Sequence, residues 1–264
     1  MVKRLIVLAT VLLFVGLIGS AFTIKGKLNQ NVSVKRSVDM SDVQHIDITI
    51  PNGHVNLYPT EGKEAEMEFV GNLSENNFIE KVENGTLKIT VKSKGFGFFS
   101  IDLFSLSQTI NVAIPEHLYD SITVQSYNGK INVDEAHVTH LDLKTDNGRI
   151  SLKNVVADTT NVRSSNGKIN LAYVTGEVNA HTSNGKISLK TVSLDQSIDL
   201  STNNGAIEIL TDQRPENVVI DAKTDNGRIE VYGKRNWDIV TGNGEHVIKL
   251  MTDNGSITIS DNLE

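Results

Sequence analysis

Basic side chains directly follow a recurring Asn-Gly dipeptide, and their regular spacing could bind an anionic ligand. Among six successive copies, five carry a cation at this position: Lys130, Arg149, Lys168, Lys186 and Arg228. The sixth copy has Ala206 there. Cations repeated at a fixed distance can contact successive phosphates or carboxylates of a polymer such as teichoic acid, or anionic lipid headgroups. The alternative interpretation is that these residues only keep the surface soluble and discourage aggregation.

Acidic residues near the same turns could supply counter-charge or catalysis. Asp146 and Asp225 lie three residues before Arg149 and Arg228, so we expect them to offset those two cations. Asp253 precedes a further Asn-Gly, which makes a row of carboxylates conceivable. The intervening copies interrupt that row with Ser165, Ser183 and Asn203. Aspartate before Asn-Gly is also an ordinary turn residue.

No constellation of catalytic or metal-binding residues is recognisable. The chain contains no cysteine, which excludes thiol nucleophiles and thiolate metal sites. It has neither a Gly-x-Ser-x-Gly elbow nor the calcium-binding Gly-Gly-x-Gly-x-Asp pattern. His137 and His140, the closest pair of histidines, are expected in a solvated loop. We therefore expect a protein that is not an enzyme and has no cofactor or metal. The alternative is a polysaccharide lyase or hydrolase with clustered carboxylates.

The charge balance argues against nucleic acid as a partner. The formal net charge is −7, and Lys3 and Arg4 are the only charged residues among the first 24, so the remainder carries −9. Non-specific binding to nucleic acid requires a basic surface. The acidity itself is explained by solubility.

Segment 1–24 has the composition of a membrane anchor. Residues 5–24 are twenty residues without a charge, and a helix of that length spans the roughly 30 Å hydrocarbon core. Lys3 and Arg4 favour a cytoplasmic N-terminus. We expect a single-pass transmembrane helix over 1–24, a polar tether over 25–39 and an extracytoplasmic domain over 40–264. The alternative is a signal peptide cleaved near residues 19–21.

The elements that must position the basic residues are short repeats. Asn-Gly occurs ten times, at 52, 84, 128, 147, 166, 184, 204, 226, 243 and 254, with steps of 19, 19, 18, 20 and 22 between 128 and 226. Each copy joins two segments of alternating apolar and polar residues, which is typical of half-buried β-strands. Because asparagine and glycine both accept positive φ, the dipeptide predicts a type I′ turn.

A hydroxyl two residues before the asparagine helps to choose between two all-β architectures. Eight copies have it: Ser126, Thr145, Ser164, Thr182, Thr202, Thr224, Thr241 and Thr252. Stacked coils repeat one residue type at one position, whereas a meander of hairpins has less need to. The sequence therefore favours a single-stranded parallel β-solenoid with coils of 18–22 residues over a hairpin meander.

Two segments depart from the repeat. The short step from 243 to 254 predicts an antiparallel hairpin that closes the last coil. Segment 95–106 contains four of the eight phenylalanines and predicts a cap over the open end of the core; the alternative is an exposed apolar patch that contacts a membrane or partner.

The repeat is similar to that of the bacterial "putative adhesin" family. The resemblance is carried by Val-Ala-Ile-Pro at 112–115, by 122–131 and by the repeated Thr/Ser-x-Asn-Gly-Lys/Arg-Ile-x-Leu, and it extends over roughly 45 to 260. The family includes LiaG-like membrane-anchored proteins of cell-envelope-stress operons. The resemblance implies a β-solenoid on the outer face of a bacterial membrane, with an adhesive or stress-linked role. It implies no catalytic residues.

Overall fold

The described residues fold into a curled β-sheet and contain no α-helix. A computed structural model of the chain describes residues 32–71, 77–92, 108–235 and 239–262, and within these ranges all the strands belong to one sheet. The strands of the N-terminal half are β1 (Val32–Asp39), β2 (His45–Ile50), β3 (Gly53–Thr60), β4 (Glu64–Gly71), β5 (Phe78–Glu83), β6 (Thr86–Val91), β7 (Gln108–Pro115), β8 (Tyr119–Ser126), β9 (Ile131–Asp134) and β10 (His137–Thr145). Those of the C-terminal half are β11 (Ile150–Ser164), β12 (Ile169–Thr182), β13 (Ile187–Thr191), β14 (Ile198–Asn204), β15 (Ile207–Thr211), β16 (Val218–Asn226), β17 (Ile229–Val231), β18 (Ile239–Val240), β19 (His246–Asn254) and β20 (Ile257–Asp261).

The alternation seen in the sequence directs one face of each strand into the core. In β10, Leu141 and Leu143 are buried, while Asp142 and Lys144 point outward. Equivalent positions of successive coils stack on one another. The first residue after the basic position forms such a column, with seven buried isoleucines: Ile131, Ile150, Ile169, Ile187, Ile207, Ile257 and Ile229. Burying each of these side chains stabilises the fold by roughly 1.5–3 kcal/mol.

The strands stack in parallel into two walls. The first wall has the spatial order β6, β2, β8, β10, β11, β12, β14, β19 and β16, and all of these strands except β6 lead into an Asn-Gly pair. The second wall has the order β7, β3, β9, β11, β12, β13, β15, β20 and β17, and all of these strands except β7 follow such a pair. Strands β11 and β12 pass from the second wall of one coil to the first wall of the next. This arrangement confirms an all-β, solenoid-like fold rather than a meander.

Antiparallel pairs modify the solenoid at its ends. Strand β4 pairs antiparallel with both β1 and β7, β5 pairs antiparallel with β6, and β16 pairs antiparallel with β18. The single-stranded parallel description therefore holds for the middle of the stack. His137 and His140, expected in a loop, lie on β10 in this middle region with exposed side chains.

The order of coils in space differs from their order in the chain. Strands β19 and β20, the last in sequence, lie between the β14–β15 coil and the β16–β17 coil. The prediction of a closing hairpin between 243 and 254 is therefore wrong. Asn254 aligns in parallel with Asn204 and Asn226, because the segment carries the complete coil pattern and fits as an interior member of the stack.

The N-terminal boundaries also need a correction. Strand β1 covers 32–39, the second half of the predicted tether, and pairs with β4 along its whole length. Val34 is the buried apolar residue of this strand. So few buried apolar positions do not make the strand evident in the sequence. The predicted anchor at 1–24 and the phenylalanine-rich segment at 95–106 lie outside the described residues. The described part of the chain contains no helix that could cross a membrane.

Candidate functional site

Eight of the ten Asn-Gly pairs align along one edge of the stack, where the first wall turns into the second. We call this edge the Asn-Gly corner. Each asparagine after the first donates a side-chain Nδ2–H to the Oδ1 of the asparagine in the neighbouring coil, over 2.6–3.1 Å. In spatial order the ladder is Asn52, Asn128, Asn147, Asn166, Asn184, Asn204, Asn254 and Asn226. Ladders of this kind satisfy donor and acceptor together and lock the register of the coils.

The corner glycines are required by close packing and not by a left-handed backbone. A Cβ added to Gly148 would lie 1.6 Å from the carbonyl oxygen of Gly129, and the same contact recurs at the other corner glycines from 129 onward at 1.6–2.1 Å. None of these glycines has positive φ. The predicted type I′ turn is therefore wrong at the corner. It is right for Asn84-Gly85, where both residues have positive φ and join antiparallel β5 and β6.

The hydroxyls two residues before the asparagines form a second ladder beneath the corner. Seven of them donate to the carbonyl oxygen of the corner glycine in the adjacent coil over 2.9–3.2 Å; these are Ser126, Thr145, Ser164, Thr182, Thr202, Thr252 and Thr224. Thr241 is the exception, because its hydroxyl accepts a hydrogen bond from the Val218 amide. The buried hydroxyl thus satisfies a carbonyl that the close approach of the glycines would otherwise leave unpaired.

The basic residues follow the corner onto the second wall, and the structure brings four of them together. Lys130, Arg149, Lys168 and Lys186 occupy consecutive coils, since the backbone N–H that follows each of the first three donates to the carbonyl of the next. Consecutive strands lie about 4.8 Å apart. We call these four residues the basic row. Arg228, predicted as a fifth member, is separated from the row by the coils that carry Ala206 and Ser256.

Three members of the basic row have no acidic partner among the described residues. The ammonium of Lys186 pairs with the carboxylate of Glu208. Lys130, Arg149 and Lys168 are exposed, and no carboxylate of the described chain lies within ion-pair distance of them. The counter-charges expected from Asp146 and Asp225 are also absent from the described ion pairs. Asp146 and Asp225 come before the corner glycine and Arg149 and Arg228 come after it, and no ion pair forms across the corner among the described residues.

His54 occupies the position before Lys130 in the same column, although the sequence interpretation omitted it. Its Nδ1 accepts a hydrogen bond from the Lys130 backbone N–H at 3.0 Å. Burial, and secondly the charge of Lys130, lower the pKa of His54 below its ordinary value. The residue directly follows Asn52-Gly53, so applying the same positional rule to the N-terminal copy would have found it.

The carboxylates do not assemble into a recognisable catalytic or metal site. Insertion of β19 places Asp253 and Asp225 in neighbouring coils, a proximity that the sequence order had hidden. The described residues contain no group of three or more metal-ligating side chains. A shallow groove of about 570 Å³ lies on the outer face of the second wall, and Glu208 is the single carboxylate among its described lining residues. Glycoside hydrolysis generally uses two carboxyl groups.

Comparison with solved structures finds several bacterial proteins that align over most of this chain. A putative cell adhesion protein from Clostridium sporogenes is 14% identical, covers 88% of this chain and 100% of its own, and superposes with a TM-score of 0.45. A putative adhesin from Bacteroides fragilis is 15% identical, with 87% and 97% coverage and a TM-score of 0.45. A putative lipid-binding protein from Parabacteroides distasonis is 18% identical, with 88% and 97% coverage and a TM-score of 0.44. No curated protein matches the sequence.

The sequence profile of one family covers nearly the whole described repeat. The Toastrack DUF4097 profile matches residues 43–172 and again residues 128–260, and the two matches share the central coils. The matched region contains every asparagine of the corner ladder and the whole basic row. The chain therefore belongs to the Toastrack DUF4097 family.

Proposed function

We propose that this protein is a non-catalytic binding module that holds an anionic, phosphate-rich polymer along the basic row. The observation that carries the proposal is a set of three exposed cations on consecutive coils, Lys130, Arg149 and Lys168, which have no acidic partner in the part of the chain that the structure describes. A protein with a formal charge of −7 has abundant carboxylates with which to neutralise such a row. That these cations remain unpaired fits a ligand that supplies the negative charge.

The scaffold beneath the row supports repeated, evenly spaced contacts. The asparagine and hydroxyl ladders connect each coil that carries a member of the basic row to its neighbours, and these contacts restrain the backbone that carries the cations. With a rise of about 4.8 Å per coil, cations in three coils span about 10 Å along the axis. A flexible polyanion can adjust its phosphates to this spacing, whereas a single small anion would contact one coil.

Groups without net positive charge flank the three unpaired cations of the basic row on both sides. At one end, His54 has a lowered pKa and is neutral near pH 7. At the other end, Lys186 is neutralised by Glu208. The potential is therefore most positive in the middle of the row, at Arg149, and falls toward both ends.

Location follows from the sequence interpretation and belongs to the same proposal. We place the domain on the extracytoplasmic side of a bacterial membrane, held by the anchor predicted at 1–24, where teichoic acids and other envelope polyanions are available. The proposed role resembles that of LiaG-like proteins, namely envelope maintenance or stress sensing.

The test is retention of the full-length, detergent-solubilised protein on immobilised teichoic acid. Replacing Lys130, Arg149 and Lys168 together by Gln should weaken retention about tenfold, because three exposed charge contacts are each worth roughly 0.5 kcal/mol. Raising the salt concentration should reproduce the loss in the unaltered protein.

The matched control replaces Lys144, Arg163 and Lys249 by Gln. These three exposed cations lie on the outer face of the first wall, and the change in net charge is the same. Retention of the control should equal that of the unaltered protein. Equal retention of the two triple variants would overturn the proposal. Vesicles containing an anionic phospholipid, tested in parallel, distinguish a polymer ligand from lipid headgroups.

A further inference from the structure

The ten Asn-Gly dipeptides of this chain are chemically alike but structurally of two kinds. Eight belong to the Asn-Gly corner, and two, at Asn84 and Asn243, do not. We infer that Asn84 and Asn243 are sites of spontaneous deamidation, and that the asparagine ladder protects the other eight. The inference is independent of the proposed ligand.

The reaction at Asn-Gly needs only water. The backbone nitrogen of the glycine attacks the side-chain Cγ of the asparagine; a new C–N bond forms, the bond from Cγ to the amide nitrogen breaks, and ammonia leaves. Water then opens the resulting succinimide at either carbonyl, which yields aspartate or isoaspartate. Glycine lacks a Cβ that would hinder the attack. From local sequence alone, all ten dipeptides should therefore react at similar rates.

The ladder opposes this reaction because it holds the amide that must move. For Cγ of Asn147 to reach the nitrogen of Gly148, the side chain must rotate out of the ladder. That rotation breaks the hydrogen bond donated to Asn128 and the one accepted from Asn166, each 2.8 Å long. The backbone cannot adjust easily either, since Gly148 packs directly on the carbonyl of Gly129.

The ladder also predicts a graded order of protection. Six interior members make two ladder hydrogen bonds: Asn128, Asn147, Asn166, Asn184, Asn204 and Asn254. The two terminal members make one each, because Asn52 only accepts and Asn226 only donates. The terminal pair should therefore react at intermediate rates.

The two remaining asparagines lack this restraint. The side chains of Asn84 and Asn243 are exposed, and neither makes a side-chain hydrogen bond to any described residue. Asn84 lies at the tip of the β5–β6 hairpin with φ of 51°. At Asn243, the backbone N–H donates to Asn217 Oδ1, and the attacking nitrogen of Gly244 donates a long, 3.3 Å hydrogen bond to the Thr241 carbonyl. We therefore expect Asn84 to react first.

The experiment incubates the full-length, detergent-solubilised protein at neutral to mildly alkaline pH and maps isoaspartate and aspartate by peptide mass spectrometry. Asn84 and Asn243 should deamidate at least about tenfold faster than the six interior members, since two hydrogen bonds must break in the ladder. Asn52 and Asn226 should fall between these groups. The same chain in urea is the matched control, and there the ten rates should converge.

A variant tests the ladder itself. Asn128→Ala removes the acceptor of Asn147, so deamidation of Asn147 should accelerate while that of Asn204, several coils away, stays slow. Native rates that are equal at all ten positions, or ladder members that react as fast as Asn84, would overturn the inference. If the variant unfolds, all its rates should reach those in urea, and the comparison in the unaltered protein still decides the question.

Discussion

The middle of the stack and its two ends consist of the same kind of coil connected in different ways. From β8 to β15, each coil rests on the coil that precedes it in the chain. At the N-terminal end, the β2–β3 coil lies between the coils of β6–β7 and β8–β9. At the C-terminal end, the β19–β20 coil lies between those of β14–β15 and β16–β17.

This difference shows that the corner contacts do not depend on chain order. Asn254 makes ladder hydrogen bonds of 2.9 and 3.1 Å to coils that are 50 and 28 residues away in sequence. In the middle, Asn147 makes its bonds over 2.8 Å to coils 19 residues away. The fit between coils is therefore a local property of the strands and corners, and the connections decide only which coil occupies which level.

The largest expected loss of stability follows from an alanine substitution at a corner glycine, and the comparison is the same substitution at an exposed turn. Gly148→Ala should destabilise the protein by more than about 4 kcal/mol, because the new Cβ would overlap the Gly129 carbonyl and backbone must shift. Gly62→Ala should cost about 1 kcal/mol, which is the strain of its positive φ, since its Cβ would meet no atom within 4 Å. Urea denaturation measures both. Similar losses would show that the middle is not uniquely close-packed.

The next effect compares an asparagine inside the ladder with one outside it. Asn147→Ala removes the two ladder hydrogen bonds to Asn128 and Asn166, each worth about 1 kcal/mol, which should cost about 2 kcal/mol. Asn243→Ala should cost less than about 0.5 kcal/mol, because its exposed side chain has no described hydrogen bond. The measurement is again the free energy of unfolding. An equal cost at both positions would remove the ladder as a source of stability.

A smaller effect concerns the hydroxyl ladder. Thr145→Val keeps the shape of a side chain that is 1% exposed but removes the donor to the Gly129 carbonyl, so we expect a loss of about 1–2 kcal/mol. Thr224→Val at the last coil should cost about half as much, because that site is half-buried and water can reach the Gly255 carbonyl. The measurement is the melting temperature of the two variants. A smaller loss for Thr224→Val would show that water reaches the glycine carbonyl more easily at the end coil than in the middle.

The smallest effect is a pH dependence at the N-terminal end. Because the folded pKa of His54 lies below the ordinary value of 6.5, the unfolded chain binds a proton more readily than the folded one. Neutral His54 therefore favours the folded state. This stabilisation is fully present above pH 6.5 and is lost as the pH falls through that value toward the folded pKa. His54→Gln should flatten the profile over this window, as measured by urea denaturation at several pH values. Lys130→Gln should raise the pKa of His54, as followed by NMR titration.

The sequence predicts the strands of each coil and their parallel stacking, but it does not predict the order in which the coils stack. The hydroxyl pattern of Ser164 and Thr182 correctly indicated parallel stacking, since each hydroxyl meets the glycine of an adjacent coil. The hydroxyl pattern did not predict that the β19–β20 coil would lie between the β14–β15 and β16–β17 coils. Leu250, Leu200 and Ala222 present the same apolar inner face, so the pattern accepts either order of coils.

The candidate site shows the same limit. Sequence spacing correctly placed Lys130 and Lys168 in one column, because the residue after the corner always lies on the second wall. Arg228 lies in the same column, but two coils separate it from Lys186, and that number depends on the order of the stack, which the spacing does not reveal. The sequence interpretation assigned the corner glycines to a left-handed turn, since Asn-Gly favours that turn in isolation and the approach of a neighbouring coil is not visible in one sequence segment.

The position of the β19–β20 coil has a mechanical consequence. Tension applied through the chain downstream of β20 does not peel an outermost coil from the sheet. It instead loads two parallel interfaces at once, one with β14–β15 and one with β16–β17, and their hydrogen bonds share the force in shear. We therefore expect force applied at that end to be resisted by both interfaces together and not by a single outermost coil.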